Sequence, residues 1–117
     1  MEPGNGAHMA PIARIWRGTV ETARADEYVE YMRETGIADI LATPGNLGAF
    51  FLRREEGDLT HFQTLSVWES EAAIEAFSGS KDRTARLEPR DEEFLVSSEP
   101  EAEHNVIAID GSNTFTR

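Results

Sequence analysis

The chain has no cysteine. That excludes thiol nucleophiles, disulfides and every thiolate-ligated metal centre, and it removes any sign of an oxidising compartment. Positive charge is short as well: 11 Lys and Arg stand against 22 Asp and Glu, a formal net charge of -11. Nucleic acids and anionic membrane surfaces are bound by clustered Lys and Arg, whereas the basic residues here are scattered, so neither partner is expected. No apolar run approaches the ~20 residues of a membrane span, and residues 1–10 (MEPGNGAHMA) lack the apolar core of a signal peptide. The expected location is cytoplasmic. Histidine is scarce, with 3 in all, and there is no H-x-H, no H-E-x-x-H, no glycine-rich phosphate loop, no G-x-S-x-G elbow and no internal repeat. Those absences leave metal, nucleotide-cofactor and serine-hydrolase chemistry without their residues. Neither a metal nor a cofactor is expected.

What is present reads as one globular domain of 117 residues, 39% hydrophobic and 28% charged. The folded unit is expected over residues 11–109, with residues 1–10 and 110–117 as flexible termini. Residues 12–20 read as a strand with Ile12, Arg14, Trp16 and Val20 on one face and Ala13, Ile15, Arg17 and Thr19 on the other. Thr22 is placed to cap a helix in which Ala25, Tyr28, Val29 and Met32 form an i, i+3, i+4, i+7 stripe, and Gly36 supplies the stop. Residues 37–46 read as a connection ending in a Pro44-Gly45-Asn46 turn. Residues 47–54 and 59–68 read as a hairpin around Gly57-Asp58. Ser70 is an N-cap for an amphipathic helix carrying Ala73, Ile74 and Phe77. Residues 78–90 read as irregular with a helical turn at 82–87, residues 94–97 as a short extended piece, and residues 104–109 (HNVIAI) as the last strand.

The order is β-α-β-β-α-β, an α+β ferredoxin-like unit whose antiparallel sheet runs 4-1-3-2. Two helices cover one face of such a sheet, yet the strands are apolar on both: Phe50 and Leu52 oppose Ala49 and Phe51. A second copy of the same sheet is the economical cover, so a homodimer is expected.

The run Leu65-Ser66-Val67-Trp68-Glu69-Ser70, followed by Ala73-Ile74-Glu75-Ala76-Phe77, resembles the antibiotic biosynthesis monooxygenase superfamily. The resemblance implies a dimeric α+β barrel, with Trp68 lining a pocket between sheet and helices. In the haem-degrading branch an Asn on the first strand and a His after the tryptophan accompany it; residues 69–103 hold no His, so haem degradation is disfavoured. The cofactor-independent branch is the better template. It implies oxidation of an electron-rich aromatic, of the quinol, anthrone or polyketide kind, directly by O2. The alternative is a non-catalytic dimeric module that holds a small apolar or aromatic ligand, for instance in a stress response.

The candidate substrate-binding residues are Trp68, Trp16, Arg14, Phe62, Tyr28, Met32 and Phe77. If the Arg14 and Trp16 face meets the pocket, an indole wall and a guanidinium donor for a phenolate or carboxylate sit there together. Histidine is the side chain best suited to accept a proton near neutral pH, which makes His61 and His104 the candidate catalytic bases. Glu101 and Glu103 stand near His104 in sequence and are expected to raise its pKa.

Overall fold

The computed structural model describes residues 10–111. Strand β1 (Ile12–Glu21) is central and is joined through a single 3-10 turn at Thr22–Arg24 to helix α1 (Ala25–Glu34) and then to helix α2 (Gly36–Ala42). Strands β2 (Asn46–Glu56) and β3 (Leu59–Trp68) form the hairpin, followed by helix α3 (Glu71–Ser78), a short helical turn α4 (Asp91–Phe94), and strands β4 (Leu95–Ser98) and β5 (Glu103–Val106). The sheet order is β2-β3-β1-β4, with β5 also paired to β1, and every pairing is antiparallel. This is the expected 4-1-3-2 arrangement with its fourth strand broken in two. Apart from Ala10, Asp110 and Gly111, the stretches expected to be loose termini lie outside the described residues.

Burial alternates along β1 and β3, because successive side chains of a strand point to opposite faces. The face under the helices carries Ile12, Arg14, Trp16 and Val20 from β1, and Thr60, Phe62, Thr64, Ser66 and Trp68 from β3. Apolar residues occupy its two ends. At one, Val20 and Phe62 pack with Ala25, Tyr28 and Met32 of α1 and with Phe94; at the other, Ile12 and Trp68 pack with Ile40 of α2 and with Ala73 and Ile74 of α3. Between the two clusters the sheet is polar. Arg14 pairs with Ser66 and Trp16 with Thr64 in the β1–β3 register.

Four local expectations are corrected. Thr22 does not cap α1; its hydroxyl bonds the Thr60 hydroxyl at 2.9 Å and the Gly57 carbonyl at 3.2 Å, and the chain makes the 3-10 turn before entering α1 at Ala25. Gly36 is not a stop: Thr35 leaves helical geometry, caps back onto the Tyr31 carbonyl at 2.7 Å, and Gly36 opens α2 where a connection was expected. The helical turn expected at 82–87 is absent. There the Asp82 carboxylate accepts from Thr84 N–H at 2.9 Å and the Ser80 hydroxyl from Asp82 N–H at 3.3 Å, side-chain bonds that compete with helix. The neighbouring backbone bonds across to Pro100 and Ala102 instead. That tie also accounts for the broken fourth strand, since Glu99 N–H still bonds the Arg17 carbonyl of β1 while residues 100–102 turn to meet this segment, and the last strand ends at Val106 rather than at 109.

Ser70 behaves as expected, its hydroxyl accepting from Ala73 N–H at 3.1 Å at the start of α3. Gly18 is needed for a different reason. A Cβ there would stand 2.6 Å from the Trp16 ring, which lies along the strand over its neighbour on the same face.

Candidate functional site

A cavity of about 40 Å³ lies over the polar middle of the sheet. Its floor is the cross-strand patch Arg14, Trp16, Thr64 and Ser66. Met32 of α1, Gly36 and Ile40 of α2, and Phe77 of α3 form apolar walls, and residues 86–88 with Asp91 close it from above. Each wall follows from an amphipathic helix turning its apolar stripe toward the sheet.

The floor is held rigidly. Trp16 Nε1–H donates to the Glu99 carbonyl at 3.0 Å. Arg14 is buried, and its Nη1–H donates to His104 Nε2 at 2.8 Å, while Nη2–H reaches the Thr84 carbonyl at 3.4 Å. A guanidinium can only donate, so His104 Nε2 accepts and its proton sits on Nδ1, which donates to Glu71 Oε1 at 3.0 Å. Burial is the main cause that pushes the His104 pKa below its usual value; Glu71 opposes it, and Arg14 and Arg83 reinforce it. The expected rise from Glu101 and Glu103 is thereby corrected. The carboxylate that reaches the imidazole is Glu71, and desolvation outweighs it. Burial likewise lowers the Arg14 pKa, with Glu71 acting against it. Thr64 is also buried, and its hydroxyl has no hydrogen-bond partner.

The roof is acidic but internally satisfied. Asp91, 2% exposed, accepts from Tyr28 O–H at 3.0 Å and from Glu88 N–H at 2.7 Å. Arg86 donates to Glu88 at 2.6 Å and to Asp39 at 3.2 Å, and its guanidinium lies 4.7 Å from the centre of the Phe77 ring. Burial raises the carboxyl pKa of both Asp91 and Glu88. For Glu88 the nearby Asp39 and Asp91 add to the rise and Arg86 opposes it.

The structure thus brings four of the candidate residues, Arg14, Trp16, Met32 and Phe77, to one cavity. Trp68 stands behind it: the indole is fully buried, donates through Nε1–H to Ser66 Oγ at 2.8 Å and packs 5.4 Å from Phe77. Tyr28 and Phe62 belong to the aromatic cluster at the other end of the sheet, their ring centres 5.4 Å apart, with Tyr28 touching the site through Asp91. His104 contacts Arg14 from behind. His61 lies on the opposite face of the sheet, because Thr60 and Phe62 on either side of it face the helices; its ring bonds Glu56 at 2.8 Å and Thr19 at 3.0 Å. Sequence reasoning missed Gly36, Ile40, Thr64, Ser66 and the roof residues. Ile37, Ile40 and Leu41 do carry the i, i+3, i+4 spacing of a helix, and the alternation through Phe62 does place Thr64 and Ser66 beside Arg14. Among the described residues, no cluster of three or more His, Asp or Glu is placed to hold a metal ion, and no helix is long and apolar enough to cross a membrane.

Residues 11–88 match the model of the antibiotic biosynthesis monooxygenase family. The chain belongs to this family. No curated protein sequence matches it. Among solved structures, this family member is similar to SnoaB, a cofactor-independent oxygenase from Streptomyces nogalater, at 16% identity and a TM-score of 0.62, over 87% of this chain and 97% of that one. It is also similar to a Pseudomonas aeruginosa protein (19% identity, TM-score 0.63, over 87% and 99% of the two chains). A Nitrosomonas europaea protein of unknown function is a third (18%, 0.65, 88% and 94%). At such identities the likeness establishes the fold and nothing finer.

Proposed function

We propose that this chain is a cofactor-independent monooxygenase whose cavity orients an electron-rich aromatic for direct reaction with O2. The observation that carries this reading is the composition of the cavity: a guanidinium and an indole on the floor, apolar walls, and carboxyls of raised pKa at the roof. Ionising a phenol or anthrone makes it electron-rich enough to reduce O2, and the protein's part is to take the proton, hold the ring and exclude water. Asp91 and Glu88 are the carboxyls that line the cavity as proton acceptors, and burial raises the pKa of each, which makes each a stronger base. Histidine is not needed there. His104 has its lone pair engaged by Arg14, and His61 faces away. For a substrate CH2 the balance is O2 in, carbonyl and water out, with no external reductant.

The volume is the observation that favours the alternative, a non-catalytic ligand-binding module. About 40 Å³ holds one or two waters, so a ring enters only when the roof at 86–88 moves outward. Oxygen uptake separates the two readings. With a panel of hydroquinones and anthrones and no added metal or flavin, the enzyme is expected to consume O2 in step with product; uptake equal to that of buffer leaves the binding module. The purified protein is expected to show neither a Soret nor a flavin band at one per chain, and a Soret band would restore the haem branch.

The sheet face away from the helices completes the assembly we propose. In register it carries rows of Ala13, Val67 and Gly48, then Ile15, Leu65 and Phe50, then Arg17, Gln63 and Leu52. Phe50 is 53% and Leu52 41% exposed. A second copy, face to face, buries these rows and makes the homodimeric barrel.

A further inference from the structure

Arg14 is a buried cation without a counter-ion at contact. Among the described residues its guanidinium meets only neutral acceptors, His104 Nε2 and the Thr84 carbonyl, and Glu71 stands beyond the imidazole. Two of its five N–H donors are used. Burying a cation this way is unfavourable unless an anion completes it. One step along the same face of β3, opposite Trp16 and so diagonal to Arg14 in the β1–β3 register, the buried Thr64 hydroxyl lines the same cavity with no hydrogen-bond partner. The two unmet demands share one floor.

The acidic groups around the cavity do not meet that demand. Asp91 is satisfied by Tyr28 O–H and Glu88 N–H, and Glu88 is paired with Arg86, itself held by Asp39. Negative charge at the roof is matched by its own donors, and positive charge at the floor is not.

We propose that the floor of the cavity is an oxyanion site, in which Arg14 and the Thr64 hydroxyl bind the ionised oxygen of a phenolate or carboxylate carried on an apolar ring, with the Glu71–His104 pair positioning the guanidinium. This rests on the reading of the cavity as the ligand site and names the ligand's chemistry. Glu71 and His104 act through Arg14. Because the imidazole presents a lone pair to Nη1, the guanidinium plane is fixed while the remaining donors stay open to the ligand.

The experiment uses 4-nitrophenol, whose coloured phenolate reports its own ionisation, titrated on the full chain. Bound phenol is expected to ionise about one pH unit below free phenol, equivalent to about tenfold tighter binding of the anion. Arg14→Gln is expected to abolish the shift. Thr64→Val, nearly isosteric, is expected to fold whatever becomes of the Arg14 variant and to lose part of the shift; a full shift in Thr64→Val overturns the two-donor site. His104→Leu is expected to weaken the shift and His104→Gln, which keeps an acceptor for Arg14, to restore it, a rescue that a purely structural histidine would not give. Competition by benzoate but not benzamide extends the site to carboxylates, and competition by neither confines it to phenolates. Competition by both, or bound phenol ionising at or above the pH of free phenol, overturns the oxyanion site while leaving the cavity as a ligand site. No binding of nitrophenol overturns both.

Discussion

Trp68 is the residue the sequence makes most conspicuous, and its surroundings assign it to the core. Its indole is fully buried and donates to Ser66 Oγ. Trp68→Phe removes that donor, leaves the hydroxyl without it and opens a void beside Phe77, changes that cost about 1–3 kcal/mol. A clear drop in melting temperature is expected, with nitrophenol affinity kept in the folded protein. The opposite pattern, lost affinity at an unchanged melting temperature, would place Trp68 in the site. His104 carries a pH dependence of definite sign. Its folded pKa lies below the usual 6.5, so below that pH the unfolded chain binds the extra proton and stability falls; above it the contribution is fully present. Asp91 and Glu88, with raised pKa values, act in the other direction, their contribution being lost as pH rises through the folded values. Comparing urea midpoints of the native protein and His104→Gln from about pH 8 to about pH 5 isolates the histidine. The native protein is expected to lose more stability on acidification than the variant, and parallel curves would show that His104 is not held neutral by Arg14 and its burial.

At the scale of elements, α2 decides the shape of the cavity. It follows α1 after one non-helical residue and brings Gly36 and Ile40 to the wall. The sequence suggests a connection here because Gly36 looks like a helix stop, yet α1 ends at Thr35, whose hydroxyl donates to the Tyr31 carbonyl, and Gly36 opens the next helix. What continues the chain as helix is packing: Ile40, 4% exposed, sits against Trp68 and Ile74. Gly36→Ala tests the wall. The added Cβ meets the terminal methyl of Met32 at 2.7 Å, the far end of a flexible side chain that can move aside. The melting temperature is expected to stay within a few degrees while nitrophenol affinity falls, as the methyl and the displaced Met32 fill the cavity. Unchanged affinity would mean that the ligand enters elsewhere.

At the scale of the molecule, the proposed dimer follows from alternation on β1, β2 and β3, which leaves two apolar rows and the exposed Leu52 on the face without helices. A specific interface buries at least ~1,200 Å² in total. Light scattering at micromolar concentration is expected to give twice the chain mass, and Phe50→Glu, which sets a charge in the middle row, is expected to give the monomer. A monomeric native protein would remove the barrel from the proposal.

The first three strands and their two faces were determined by the sequence itself, because period-two alternation, a Gly57-Asp58 turn and a Ser70 cap are local signals read within a few residues, and the sheet order followed from the β-α-β-β-α-β succession. The boundaries of β3, its transition into α3 and the shared face of Arg14 and Trp16 are of this kind. Tertiary structure alone decided the site. That Arg14 meets His104 depends on β5 pairing with β1 some ninety residues on, and that Asp91 meets Tyr28 depends on where residues 79–90 cross the sheet. The same holds for the broken fourth strand, which exists because the backbone at 83–85 competes with β1 for residues 100–102. Contacts between distant segments leave no period in the sequence, and side chains such as Thr64 and Asp91 acquire their chemistry only from what the fold withholds from them or places against them.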